Sequence, residues 1–336
     1  MVNIDVGVDL GTDSVIIYME GKGITLSQPS IVAYDEKKEK VVAVGSAAFD
    51  MLGKAPPYIK IVRPLENGSI SDFKMAEVLL RSFLTKVFGN LFFKPSVAMC
   101  VPSSITGIER TAFITTALAA GARKVTLIEA PLAAAIGCGI DFKACKGNMI
   151  VDIGAGSTDI AVISFGGVVN SRSERTGGYD MDEAIKDYVL KEKKLYIGQK
   201  TAEAAKIKAA ALTNPSQKIT AELKGLSAKT GLPASAVITQ TEICEAITPI
   251  AERISAAVHS LFEVTPPDLT GDILETGIIL TGGAAQIRGI DSFISVRLGV
   301  DVKVVEDPLH RVAVGTGTCF KAADDLIDAS FEEAGI

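Results

Sequence analysis

The sequence predicts an α/β protein of two duplicated domains facing one cleft, each with a small inserted subdomain. Three observations lead there. First, Val151-Asp152-Ile153-Gly154-Ala155-Gly156-Ser157-Thr158-Asp159 lies between the apolar Met149 and Ile150 and the alternating run Ile160, Val162, Ile163, Phe165. That pattern reads as a β-hairpin with a glycine-rich tip. Second, the same grammar opens the chain: Val8-Asp9-Leu10-Gly11-Thr12-Asp13-Ser14 follows Ile4 and Val6 and runs into Val15, Ile16, Ile17 and Tyr18. Each copy ends in a glycine turn, Gly21-Lys22-Gly23 in one and Gly166-Gly167 in the other. Third, residues 97–137 alternate strand, helix, strand, helix, which is the doubly wound pattern.

The hairpin tips carry the chemistry. Gly154 and Gly156 let the backbone approach a ligand, and their amides can cradle phosphate oxygens. Ser157 and Thr158 add hydroxyl donors. Asp152 sits at the strand end, where a carboxylate can hold a hydrated Mg²⁺, and Asp9 occupies the same place in the first copy. One glycine turn is an ordinary hairpin. Two copies suggest duplicated domains whose hairpins converge on one nucleotide from opposite sides.

Composition bounds the answer. The chain has 336 residues, room for two domains, with 48% hydrophobic and 22% charged residues, a globular balance. The net charge of −6 implies no general affinity for nucleic acid. Five cysteines form no C-x-x-C pair and only two histidines accompany them, so zinc is not indicated. Reduced thiols in a cytoplasmic protein are the default. The start reads directly as a strand holding Asp5 and Asp9, not as a signal peptide. No apolar run reaches the roughly 18 residues that span a bilayer.

In chain order, a third strand is expected at 30–34. Residues 33–65 change character: a polar turn at Lys37-Lys38-Glu39-Lys40, an apolar run at 41–44, a short helix at 47–52, then Pro56-Pro57. They read as an insert. Val78, Leu79, Phe83, Leu84 and Val87 have helical spacing, and Ser71 or Asp72 can cap that helix. Leu91, Phe92 and Phe93 then fall between Gly89 and Pro95, in what reads as a loop. An exposed apolar patch marks an interaction site; the alternative is that the three fold back into the core.

Residues 97–101 and 125–128 read as strands. Helices follow at 108–120, ended by Gly121, and at 132–137, opened by Pro131. Residues 143–147 read as the crossover. The second half continues with helices at 181–191 and 201–212, a polar irregular stretch at 213–240, and a long helix at 242–264 stopped by Pro266-Pro267. The strand at 278–281 runs into Gly282-Gly283, where backbone can approach a base and sugar. A last helix begins at 315–317.

Together these residues resemble the actin–Hsp70–sugar kinase superfamily, and within it the MreB bacterial actins. The matching segments, in order, are Asp9-Leu10-Gly11-Thr12, Gly21-Lys22-Gly23-Ile24, Arg63-Pro64-Leu65, Val101-Pro102-Ser103, Glu109-Arg110, Pro-Leu-Ala-Ala-Ala-Ile-Gly at 131–137, Gly-Asn-Met-Ile-Val-Asp-Ile-Gly at 147–154, Met-Asp-Glu-Ala-Ile at 181–185, Thr-Pro-Pro-Asp-Leu at 265–269 and Leu280-Thr281-Gly282-Gly283. The resemblance implies an actin-like fold: two duplicated RNase H-like α/β domains with two small inserted subdomains around a nucleotide cleft. The implied division is 1–32 and 66–143 for subdomain IA, 33–65 for IB, 144–180 and 242–314 for IIA, 181–241 for IIB, and 315–336 for a helix returning to IA. It implies ATP with Mg²⁺, head-to-tail filaments of paired strands, and peripheral work at the inner face of the cell membrane in cell shape or a related cytoskeletal task.

Carried onto this chain, the first phosphate loop falls on Gly11, Thr12, Asp13 and Ser14. The second falls on Gly154, Ala155, Gly156, Ser157 and Thr158. The adenosine contacts fall on Glu203, Ala204, Ala205 and Lys206, and on Gly282, Gly283, Ala284 and Ala285. Asp9 and Asp152 are the Mg²⁺-side carboxylates. The catalytic positions are Asp152, Ser157 and the place of Ala130. Several departures stand out. The family's first loop reads Thr-Ala-Asn where this chain has Thr12-Asp13-Ser14, and an extra carboxylate near phosphates weakens binding unless it points away or sits on the metal. The second loop's middle glycine is Ala155. The family's glutamate before the helix proline is Ala130, and its threonine after the last loop glycine is Ser157. Weak hydrolysis is the expectation. Some members use an amphipathic N-terminal helix at the membrane; this chain begins in a strand, which leaves Leu91, Phe92 and Phe93 as the expected membrane contact. The alternative function is a small-molecule kinase of the same superfamily, which would need an acceptor pocket. A chaperone ATPase would need a peptide-binding domain for which no segment remains.

Overall fold

The computed structural model describes residues 5–89, 94–141, 144–322 and 331–335. The first half opens with β1 (Asp5–Leu10), β2 (Ser14–Met19) and β3 (Gly23–Pro29). An insert follows: β4 (Val32–Asp35), β5 (Lys40–Val44), α1 (Ser46–Met51) and β6 (Ile59–Val62). A short hairpin, β7 (Leu65–Glu66) and β8 (Ser69–Ile70), leads back to α2 (Phe73–Phe88), β9 (Ser96–Val101), α3 (Gly107–Ala120), β10 (Lys124–Glu129) and α4 (Ala130–Gly137). The predicted strand at 30–34 is divided differently. Proline cannot donate to a ladder, so β3 stops at Pro29, and Val32–Asp35 pairs with β5 and β6 in the insert.

The second half repeats the plan. It begins with β11 (Asn148–Ile153), β12 (Thr158–Ser164), β13 (Gly167–Glu174) and α5 (Gly178–Tyr188). Its insert holds β14 (Leu195–Tyr196), α6 (Gln199–Ala209), β15 (Thr220–Ser227) and β16 (Pro233–Thr239). The chain continues through α7 (Gln240–Phe262), α8 (Pro267–Thr276), β17 (Ile278–Thr281), α9 (Ile290–Leu298), β18 (Val302–Val304), α10 (Arg311–Ala322) and β19 (Phe331–Gly335). Residues 213–240, expected to be irregular, contain a hairpin: β15 pairs with β16 from Thr220–Thr239 to Leu226–Pro233. Only Ala221 and Leu223 of β15 are deeply buried, so its apolar signal is short.

The two main sheets share one order. In the first, β3, β2, β1, β9 and β10 lie side by side, with β19 added antiparallel at the edge. In the second the order is β13, β12, β11, β17, β18. Each has an antiparallel three-strand meander, then parallel neighbours reached through helices. Each half has its own apolar core. A third cluster joins them, bringing together Ala98 and Cys100 of the first sheet, Ile150 and Ile163 of the second, and the alanines of α4 with Val312 of α10. The two helices touch backbone to backbone: a β-carbon at Gly315 would stand 1.7 Å from the Ala133 carbonyl oxygen. Only glycine permits that approach.

Candidate functional site

Both hairpin tips fold the same way and open on the same cavity. The Gly11 amide donates to the Ser14 carbonyl at 3.0 Å, and the Gly154 amide donates to the Ser157 carbonyl at 2.9 Å. The first tip places Asp9, Gly11, Thr12, Asp13 and Ser14 on the cavity wall, and the second places Asp152, Gly154, Ala155, Gly156 and Ser157 opposite. Glu203 and Lys206 of α6 and Gly282, Gly283 and Ala284 after β17 complete one side. The remaining expected contacts lie elsewhere. Thr158 is fully buried and donates its hydroxyl to the Thr176 carbonyl at 2.8 Å. Ala205 and Ala285 pack in the second core, and Ala204 faces outward. Ala130 is on the wall and 7% exposed.

Three carboxylates crowd the floor. Burial pushes Asp9 up to about 6, partly countered by the Cys100 thiol, which donates to Asp9 Oδ1 at 3.2 Å, and by His310. Asp152 and Asp159 face each other across the β11–β12 ladder. Burial, then Asp159 and Asp9, hold Asp152 well above the usual carboxylate range. Burial also raises Asp159 to about 6, although the Ser157 hydroxyl donates to its Oδ2 at 3.3 Å. Asp152 Oδ1 is buried without a hydrogen-bond partner. Carboxylates that repel one another, two of them (Asp152 and Asp159) with a buried unfilled oxygen, are a donor set suited to a hard cation. Among the described residues no three or more His, Cys, Asp or Glu side chains form a complete metal cage.

Other residues at the site escaped the sequence reading. The Asn67-Gly68 turn, with φ of 50° and 79°, reaches in from the β7–β8 hairpin, and the Gly68 amide donates to Thr12 Oγ1 at 3.0 Å. Asn-Gly is a strong hairpin signal, so the turn itself was legible. Lys206 Nζ lies 2.8 Å from the fully buried Asp182 and donates to the Gly178 carbonyl at 2.7 Å, tying α6 to α5. Burial raises Asp182 to about 6 against the pull of Lys206. Asp13 is engaged rather than free: the Tyr179 hydroxyl donates to its Oδ1 at 2.5 Å, and Arg63 Nη1 approaches the same oxygen at 3.3 Å. Glu129, beside Ala130, has a buried Oε2 with no hydrogen-bond partner.

A family model described as MreB/Mbl protein matches residues 3–328. The cell shape-determining protein Mbl of Bacillus cereus is 42% identical over 323 residues, covering 96% of this chain and 97% of that protein. The cell shape-determining protein MreB of Escherichia coli K12 is 41% identical over 326 residues, covering 95% and 94%. Among solved structures, MreB5 of Spiroplasma citri bound to ADP superposes with a TM-score of 0.90 at 35% identity, covering 96% of this chain and 98% of that one. The same protein has also been solved bound to AMPPNP. The MamK double helical filament matches with a TM-score of 0.81 at 21% identity, over 95% and 99% of the two chains, which supports the fold alone.

Proposed function

From a chain that belongs to the MreB/Mbl family and has an actin-like fold, we propose an ATP-binding cytoskeletal protein that polymerises head to tail into paired filaments at the membrane surface. The observation that carries the reading is the pair of matching hairpins, each led by a half-buried aspartate, on opposite walls of one cavity. In this reading the Gly156 amide and the Thr12 and Ser14 hydroxyls take the phosphates, while the Gly11 and Gly154 amides, spent on the Ser14 and Ser157 carbonyls, shape the two tips. Glu203, Lys206 and the 282–284 turn take the adenosine end. Asp9 and Asp152 hold Mg²⁺, which when bound neutralises charge on the phosphate oxygens. The ADP and AMPPNP complexes of MreB5 support an adenine nucleotide. Family membership favours this reading over a small-molecule kinase.

A head-to-tail contact is heterologous and does not close, so it gives filaments. Purified protein with Mg²⁺ and ATP should pellet and show filaments by electron microscopy, and should not do so without nucleotide. Monomers alone over a wide concentration range would overturn the filament reading.

The same proposal includes weak hydrolysis and a peripheral position at the inner face of the cell membrane. Among the described residues no helix is long and apolar enough to cross a membrane. Leu91, Phe92 and Phe93, the expected membrane contact, lie outside the described residues, and their role rests on the sequence.

A further inference from the structure

The two halves of the molecule are fastened to each other across the cleft at two heights. Near the phosphate loops, Asp13 of the first hairpin accepts the Tyr179 hydroxyl at 2.5 Å. Tyr179 lies in the first turn of α5, in the second half. Arg63, just after β6 where the first insert rejoins its domain, reaches the same Asp13 oxygen at 3.3 Å and stacks its guanidinium 4.7 Å above the Tyr179 ring. Burial and then the Asp13 carboxylate hold the Tyr179 phenol far above its ordinary titration range, so it is a donor at every working pH. At the rim, Lys200 at the start of α6 sits 4.2 Å over the ring of Phe49 in α1, so the two inserts also meet.

Resting on the nucleotide reading above, we propose that Asp13, Arg63 and Tyr179 form a clasp, seconded by Phe49 and Lys200, that holds the halves closed and sets the rate of nucleotide release. The physical case is topological. A nucleotide lying between the two hairpins cannot leave until the hairpins separate. The Tyr179–Asp13 hydrogen bond, the Arg63–Tyr179 stack and the Lys200–Phe49 contact each join opposite halves, so none survives that separation. The Tyr179 bond is made to a carboxylate and stacked by a cation, the class of hydrogen bond that is worth most. Arg63 keeps a second donor in hand, because its Nη2 is buried with no partner. The clasp also answers the cost expected of Asp13. Its carboxylate faces a guanidinium and a phenol, so its field on nearby phosphates is partly offset.

The test is the release of a fluorescent N-methylanthraniloyl-ADP, loaded with Mg²⁺ and chased with excess unlabelled ATP, measured on monomer below the assembly concentration. Tyr179→Phe keeps the ring and its stacking and removes only the hydroxyl. It should speed release about tenfold or more, the weight of a hydrogen bond to a charged group. Asp13→Asn tests the same bond from the other side and should also speed release. In an Asp13→Ala background, which removes the acceptor outright, adding Tyr179→Phe should change little, because the two act through one contact. Binding with an unchanged release rate in both single variants overturns the clasp alone. Failure of the unmodified chain to bind the probe overturns the nucleotide reading, and the clasp with it.

Discussion

Ala130 puts a methyl group on the cavity wall, at the position where the family resemblance leads us to expect an orienting glutamate. Hydrolysis needs a water in line with the γ-phosphate and a group to hold it, and alanine offers none. The neighbouring Ser157 keeps a hydroxyl but lacks the methyl that restricts a threonine rotamer, and its hydroxyl is directed to Asp159. Loss of a water-positioning group lowers rate by about 10²–10⁴-fold. Phosphate release by the unmodified chain should therefore be slow while nucleotide stays bound, and Ala130→Glu with Ser157→Thr should raise the rate by about 10²-fold. Fast turnover in the unmodified chain would sink the idea, and so would a double variant no faster than its parent. At this scale the sequence exposed the residues but not their engagements. Asp13 read as a liability because its partners, Arg63 and Tyr179, lie 50 and 166 positions away.

Helix ends were legible because capping is local. Asp72 accepts the Met75 amide at the start of α2, as the sequence suggested. Thr106 and Glu109 form a reciprocal capping box on α3, and Thr239 and Glu242 form another on α7. Glu109 allows a pH test. The Thr106 amide, then the Ser69 and Thr106 hydroxyls, hold its carboxyl below the ordinary 4.5. A depressed carboxylate contributes stability above that ordinary value and loses it as pH falls through the folded-state value. Glu109→Gln removes the charge at the helix N-terminus and should cost about 0.5–1 kcal/mol near neutral pH. Urea denaturation of both proteins should show the difference shrinking as pH drops below the ordinary 4.5; a pH-independent difference would count against the charge. The hairpin at 220–239 was less legible. Alternate residues of β15 face solvent, so its composition looks like a loop, and it becomes a strand by pairing with β16.

For the whole molecule, assembly multiplies weak contacts. Leu91, Phe92 and Phe93 can contribute roughly 1.5–3 kcal/mol each if buried in lipid, and a filament repeats that contact along its length. Phe92→Ser with Phe93→Ser should release the polymerised protein from liposomes in a co-sedimentation assay; unchanged co-sedimentation would remove the segment from consideration. The sequence by itself determined the two glycine-tipped hairpins, their leading aspartates, the α/β alternation and a few helix ends, at Asp72, Gly121 and Pro131. Each of these is written within about ten neighbouring residues, where glycine freedom, period and capping act. Tertiary structure alone decided which side chains face the cleft. It turned Thr158, Ala205 and Ala285 into the core, tied Lys206 to Asp182, and set Tyr179 against Asp13 across two domains. Those outcomes depend on burial against elements far along the chain, and non-local packing leaves no periodic trace in a single sequence.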